Sequence, residues 1–217
     1  MSELNKVDVK AKLVTYAQLA YQLGLVWGRS GNMSLRLDRN HFIITAAGSS
    51  LRELSDLDIV ECSLDPGKEG EACGEIRPSM EFRMHREIYW IREDVSAILH
   101  TQPLFSTLVA CSSEIELERA ILPESIAYIK KIERVPYQHP GSIALAKEVA
   151  RRSIEADVLL LENHGVLGVG ISAEEVVNKI ETLEFLARLT ITARSSQSRL
   201  KVLPEGIVDK FKQRLKI

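Results

Sequence analysis

Cysteine is scarce in this chain. Its 217 residues include three, Cys62, Cys73 and Cys111, an odd number with no CxxC spacing. That pattern supports neither a disulfide framework nor a thiolate zinc site, and it suits thiols kept reduced in the cytoplasm. Long apolar runs are missing as well: no stretch approaches the roughly 18–20 residues that a membrane helix needs. The opening MSELNKVDVKAK lacks the apolar core of a signal peptide. Charge of one sign does not dominate either, with 28 Lys and Arg against 30 Asp and Glu. A net charge of −2 offers no broad basic field to nucleic acid or to an anionic membrane. Internal repeats, low-complexity tracts and linker-like segments are absent too, so residues 1–217 are expected to form one cytoplasmic domain.

What is present is periodicity that changes along the chain. Residues 6–25 carry Val9, Leu13, Tyr16, Leu19, Ala20 and Leu23 at helical spacing, with Gly24 placed to end the helix. From Asn32 the period drops to two. Met33, Leu35 and Leu37 alternate with Ser34 and Arg36, and HFIIT follows the turn-like Asp38-Arg39-Asn40, which predicts a β-hairpin. Residues 58–64 predict a third strand, followed by a Gly/Glu-rich loop over 65–75. A helix is expected over 79–91 with Ser79 as its N-cap, which would put Glu81 in the first turn. Strands are expected at 95–100, 131–137 and 157–162, with VLGVG pairing back on the last. Further helices are expected at 103–110, 142–155, 173–194 and 204–215. Strands and helices mixed from end to end predict a sheet with helices packed on its faces.

Two histidines stand where buried strands end: His100 after VSAIL, and His164 after DVLLLEN. Side chains at strand ends converge on the rim of a sheet, so the pair can meet at one metal ion. The plainer reading is two separate loop histidines. Glu81 is the third candidate, and His85 follows it at i+4 as half of a metal site or as a local contact. Two glycine-containing loops, 28–32 and 46–50, suit the backbone to an anion, and the helix start near Ser79 adds donors. An ordinary glycine turn would look the same.

Taken together, SGNMSLR (30–36), FIITAAG (42–48), LSDLDIV (54–60), RPSMEFRMHREIY (77–89), AILHTQ (97–102), PYQHPGSIALAKEVA (136–150) and LLLENHGVLGVG (159–170) resemble the class II aldolase/adducin family. They stand in the family's order across about residues 8–195. The resemblance implies a single α/β domain with a predominantly antiparallel central sheet and helices on both faces. It also implies a homotetramer acting on a small-molecule substrate, with no nucleic-acid or membrane partner. In such enzymes two histidines of an HxH and a third in a later HG hold zinc or another divalent metal, and a glutamate of a PxSxE stretch is the general acid/base. By that resemblance His100 and His164 are metal ligands, Glu81 is catalytic, and Gly31, Asn32, Gly48 and Ser79 bind the substrate or its phosphate.

The chain departs from the family in three places. HxH reads His100-Thr101-Gln102, so an amide replaces the second imidazole, as a weak ligand or a partner just outside the coordination sphere. Ala47 and Met80 stand where hydroxyl residues usually help to hold phosphate. The family's proton-donating tyrosine has no counterpart. The reading is a metal-dependent, aldolase-type lyase cleaving a small sugar or hydroxy-carbonyl compound through a stabilised enediolate. The alternatives are a related epimerase, dehydratase or decarboxylase, or a non-catalytic, adducin-like member.

Overall fold

The computed structural model describes residues 3–65 and 76–215. Cys73 and nearly all of the expected 65–75 loop lie outside the described residues. The first helix, α1 (Glu3–Gln22), ends through Gly24, whose φ of +73° is a backbone region that glycine adopts without strain. Its N–H donates to Tyr21 O while Leu25 N–H donates to Ala20 O, closing the last carbonyls of the helix. The hairpin follows as β1 (Asn32–Arg36) and β2 (His41–Thr45), and Asn40 N–H donates to Asp38 Oδ1 at 2.8 Å within its turn.

Next come β3 (Ile59–Ser63), α2 (Phe82–Ile91), β4 (Ala97–Thr101), α3 (Leu104–Ala110), α4 (Pro123–Tyr128) and β5 (Ile132–Val135). They are followed by α5 (Ile143–Ser153), β6 (Val158–Leu161), β7 (Gly165–Gly170), α6 (Ala173–Ser195) and α7 (Glu205–Leu215). The seven strands of the described residues join one sheet in the order β3-β2-β1-β4-β7-β6-β5. Every pairing is antiparallel except β5 with β6, which α5 links as a crossover.

Strand alternation sorts the core into two layers. Met33, Leu35, Ile43, Leu99 and Leu160 face α1, α3 and α6, burying Leu13, Val109 and Ile180 among others. Their neighbours Phe42, Ile44, Ile98, Leu159 and Leu161 face α2 and α5, against Met84, Ile88, Tyr89 and Val149. The expected antiparallel sheet with helices on both faces is therefore the observed one.

The expected start of α2 needs correction. Ser79 is not its N-cap; that position belongs to Glu81, and the helix begins at Phe82. Pro78 bridges Ala46 and Ser79 N–H donates to Thr45 O, so the backbone here is still tied to the end of β2. A turn closed by Phe82 N–H on Ser79 O must intervene before the helix can start. This turn carries Glu81 out of the helix face and up to the sheet rim.

Candidate active site

The rim where β4 ends and β7 begins holds a cavity of about 300 Å³, among whose lining residues are Glu81, His100, Gln102, His164, Gly31, Asn32, Gly48 and Ser79. Register explains the meeting. His100 pairs with Asn32 on β1 and with Leu167 on β7, so β1 and β7 flank it on either side. Residues two apart in a strand share a face, so Gln102 follows His100 onto the cavity side. His164 enters from the β6–β7 turn, where Asn163 adopts a left-handed φ of 55° and His164 N–H closes on Leu161 O at 3.0 Å. Asparagine tolerates that conformation better than most residues.

The sequence-selected side chains converge here. The rings of His100 and His164 lie edge to face with centroids 4.7 Å apart, and His164 Nε2 stands 3.9 Å from Glu81 Oε1. His100 is 1% exposed and Glu81 6%. Burial, then the neighbouring His164 and His85, hold the His100 pKa well below its ordinary value, against the pull of the Val166 carbonyl. Burial also lowers His164. Both rings are thus in the neutral form that binds metals. Burial raises the Glu81 carboxyl, partly offset by the Gly141 backbone N–H.

Hydrogen bonds fix the orientation of His100. Its Nδ1–H donates to Val166 O at 2.9 Å, which leaves Nε2 a lone pair aimed into the cavity. Gln102 meets that lone pair with its amide nitrogen, at 2.8 Å, and not with its oxygen. With the amide in this orientation, Gln102 covers the ligand atom of His100.

Among the described residues, three polar atoms around the cavity are buried without a partner: Glu81 Oε2, Gln102 Oε1 and His164 Nδ1. Native interiors seldom leave such atoms unsatisfied. These atoms, beside a His100 lone pair that only the Gln102 amide covers, fit a divalent cation held by His100, His164 and Glu81, with the Gln102 oxygen available once its amide turns. Among the described residues, no three His, Cys, Asp or Glu side chains already stand as a closed ligand set.

His85 is not part of a metal half-site with Glu81. It is 0% exposed and lies below the cavity, where Nε2–H donates to Asn32 Oδ1 at 2.7 Å and Nδ1 accepts from Ser34 Oγ at 2.7 Å. Tyr89 O–H donates in turn to Ser34 Oγ at 2.8 Å. This relay of Tyr89, Ser34, His85 and Asn32 holds the Asn32 amide in one orientation with its NH₂ donors uncommitted toward the cavity. Ser34 and Tyr89 were not legible as site residues. The available signal was the pairing of a polar position in β1 with two polar positions one turn apart in α2.

The relay has a measurable consequence for stability. Burial lowers the His85 pKa to about 3. Between that value and the unfolded value near 6.5, only the unfolded chain binds the proton, so the stabilisation present above about pH 6.5 is lost as pH falls. From pH 7 to pH 5 the loss from His85 should be about 2 kcal/mol. Urea unfolding at both pH values measures it, and His85→Gln should show a drop smaller by about that amount. Equal drops in the two proteins would contradict the assignment.

Glycine is required at two places around the cavity. A Cβ on Gly165 would lie 2.6 Å from Thr101 O and 2.9 Å from Gln102 Cγ, and one on Gly31 would lie 2.7 Å from Val26 Cγ1. Gly48, with φ +75°, turns the 46–50 loop toward the cavity, and Ser79 Oγ accepts from Glu81 N–H at 3.3 Å. A larger cavity of about 490 Å³ at the opposite end of β7 is lined by Lys179, Asp157 and Glu175. There Lys179 Nζ reaches Asp157 at 3.0 Å, Glu175 at 2.6 Å and Val169 O at 2.9 Å, satisfying all three of its donors. Lys179 is thereby held as a structural cross-link between β7, α6 and Asp157.

Known proteins carry the same arrangement of chain. Residues 11–191 match the family model for the class II aldolase and adducin N-terminal domain. The 3-oxo-tetronate 4-phosphate decarboxylase of Haemophilus influenzae is 31% identical over 193 residues, covering 88% of this chain and 90% of that protein. The L-fuculose phosphate aldolase of Methanocaldococcus jannaschii is 35% identical over 186 residues, covering 84% of this chain and 95% of its own. A solved L-fuculose 1-phosphate aldolase structure superposes with a TM-score of 0.84 at 28% identity, over 100% of this chain and 98% of that one. On this match of sequence and fold, the chain belongs to the class II aldolase and adducin family.

Proposed function

We propose that this protein is a divalent-metal-dependent lyase, with zinc as the metal, that cleaves a carbon–carbon bond in a small hydroxy-carbonyl compound of carbohydrate metabolism. The observation that carries this reading is the convergence of Glu81, His100, Gln102 and His164, distant in sequence, on one acceptor-rich cavity. A bound divalent cation supplies Lewis-acid stabilisation for negative charge developing on the substrate's carbonyl oxygen. His100 and His164 would hold it, with His100 aimed by the Val166 carbonyl. Glu81, buried and with one oxygen unpartnered, handles the proton: after the bond breaks it protonates the carbon that keeps the electron pair, and in the reverse direction it removes that proton. Asn32, Gly31, Gly48 and Ser79 position the remainder of the substrate.

Aldol cleavage and decarboxylation share this half-reaction and differ in the fragment that leaves. Relatives named for each activity support the common step rather than one of the two. The reading includes a cytoplasmic homotetramer with the cavity close to a subunit boundary. Exposed Trp27, Leu104 and Leu108, which line an apolar groove adjoining Gln102, support that placement.

One observation favours a second reading, a non-catalytic family member: the Gln102 amide covers the ligand nitrogen of His100. Zinc titration of the wild type and Gln102→His separates the two. A working centre should bind about one zinc per chain in the wild type, and an added imidazole should tighten binding by about tenfold or more, since a nitrogen donor suits zinc better than an amide. Negligible binding in both proteins would establish the non-catalytic reading.

A further inference from the structure

Arg29, Ala47, Ser49 and Met80 line the cavity together with the substrate-positioning Gly31, Gly48 and Ser79, and the proposed chemistry gives these four no part. Hydroxyl donors are scarce there. Ala47 has none, Met80 has none and is 74% exposed, and Ser49 Oγ is committed to Ala46 O at 2.8 Å. Ser79 Oγ accepts from Glu81 N–H, which leaves its O–H as the one uncommitted hydroxyl donor among the described residues of this wall. Arg29 is the only cation among the described residues that line the cavity. Its Nη1 donates to Gly48 O at 3.0 Å, and Ser50 Oγ donates to Gly28 O at 3.3 Å, so the 28–32 and 46–50 loops are tied together across this wall. A guanidinium carries five N–H donors, and the bond to Gly48 uses one. Among the described residues no carboxylate pairs with Arg29.

Resting on the lyase reading, we propose that Arg29 determines substrate choice by binding a carboxylate at the end of the substrate remote from the reacting carbonyl. A phosphate offers three peripheral oxygens and close to two charges, which call for several converging donors. A carboxylate offers two oxygens in a plane, which a single guanidinium fork can engage at once. With the hydroxyls at positions 47 and 80 absent, the second match is the better one. The substrate is therefore a small hydroxy-carbonyl acid, set apart from the phosphate esters for which the relatives are named.

The test is an NMR titration of the full-length protein as purified, repeated after chelation, with malonate and with inorganic phosphate as probes. Malonate should bind in both conditions and more tightly than phosphate. Arg29→Ala should weaken malonate by about tenfold or more, the scale of a hydrogen bond to a charged group, and Arg29→Lys should recover part of the loss. The double variant Ala47→Ser with Met80→Ser should shift the preference toward phosphate. His164→Ala should keep malonate binding after chelation, so a failure of the metal assignment leaves this result readable on its own. Arg29 is exposed, and an unchanged thermal midpoint verifies that its variants fold. Malonate binding that is indifferent to Arg29→Ala, or phosphate binding as tight as malonate in the wild type, overturns the proposal.

Discussion

Replacing Glu81 with glutamine is expected to slow proton exchange at the carbon beside a hydroxyketone carbonyl by about 10²–10⁴-fold, the usual contribution of a positioned acid/base. Glutamine has nearly the shape of glutamate, so the turn at 79–82 and the start of α2 should persist. The N-cap side chain makes no capping hydrogen bond whose loss would unravel that turn. Glu81 Oε2 is buried without a partner, so the amide breaks no hydrogen bond at that atom. The drop should therefore appear in the rate constant with the thermal midpoint unchanged. Proton NMR in D₂O measures it directly. Exchange at the wild-type rate would remove Glu81 from the chemistry.

His164→Ala should produce the other large effect, a loss of zinc affinity of about 100-fold or more, at or beyond the upper end of what partners outside the coordination sphere contribute. Only His100 and the covered amide of Gln102 would then remain beside Glu81. Stability should change little without metal. His164 is desolvated with Nδ1 unpartnered, and its removal takes away an unsatisfied polar atom along with an edge contact to His100. Calorimetric titration gives the affinity, and unfolding in the presence of a chelator gives the control. An alanine variant that binds zinc as the wild type does would place the ion elsewhere.

Much of the fold was legible because a sheet buried on both faces reads as short continuous apolar runs, as in β4 and β6, whose successive residues point to opposite layers. Met33 and Leu35 fall in one core layer, and Phe42 and Ile44 in the other. Gly24 marked the end of α1 because few other residues adopt its backbone conformation at no cost. The start of α2 was misplaced because Ser79 has the right side chain for an N-cap, whereas a long-range bond from its N–H to Thr45 O decides its backbone. Local propensity cannot register a partner 34 positions away. His100, His164 and Glu81 could be picked out from strand ends and family motifs. The role of His85 could not, since i+4 spacing from Glu81 suggested a shared face while packing turned the ring toward Asn32 and Ser34. The orientation of Gln102 was likewise invisible, being set by the bond from His100 to Val166 on another strand.

In the proposed reaction a divalent ion and Glu81 together would stabilise and protonate the carbanion side of a hydroxy-carbonyl substrate. Its most direct test is solvent deuterium incorporation into small hydroxyketones with neutral, phosphorylated and carboxylated ends, catalysed by the zinc-loaded wild type. Exchange is expected at the carbon beside the carbonyl, fastest with the carboxylated compound, abolished by a chelator and restored by added zinc. No exchange into any of them by a protein shown to hold zinc, or exchange that a chelator leaves untouched, would contradict it.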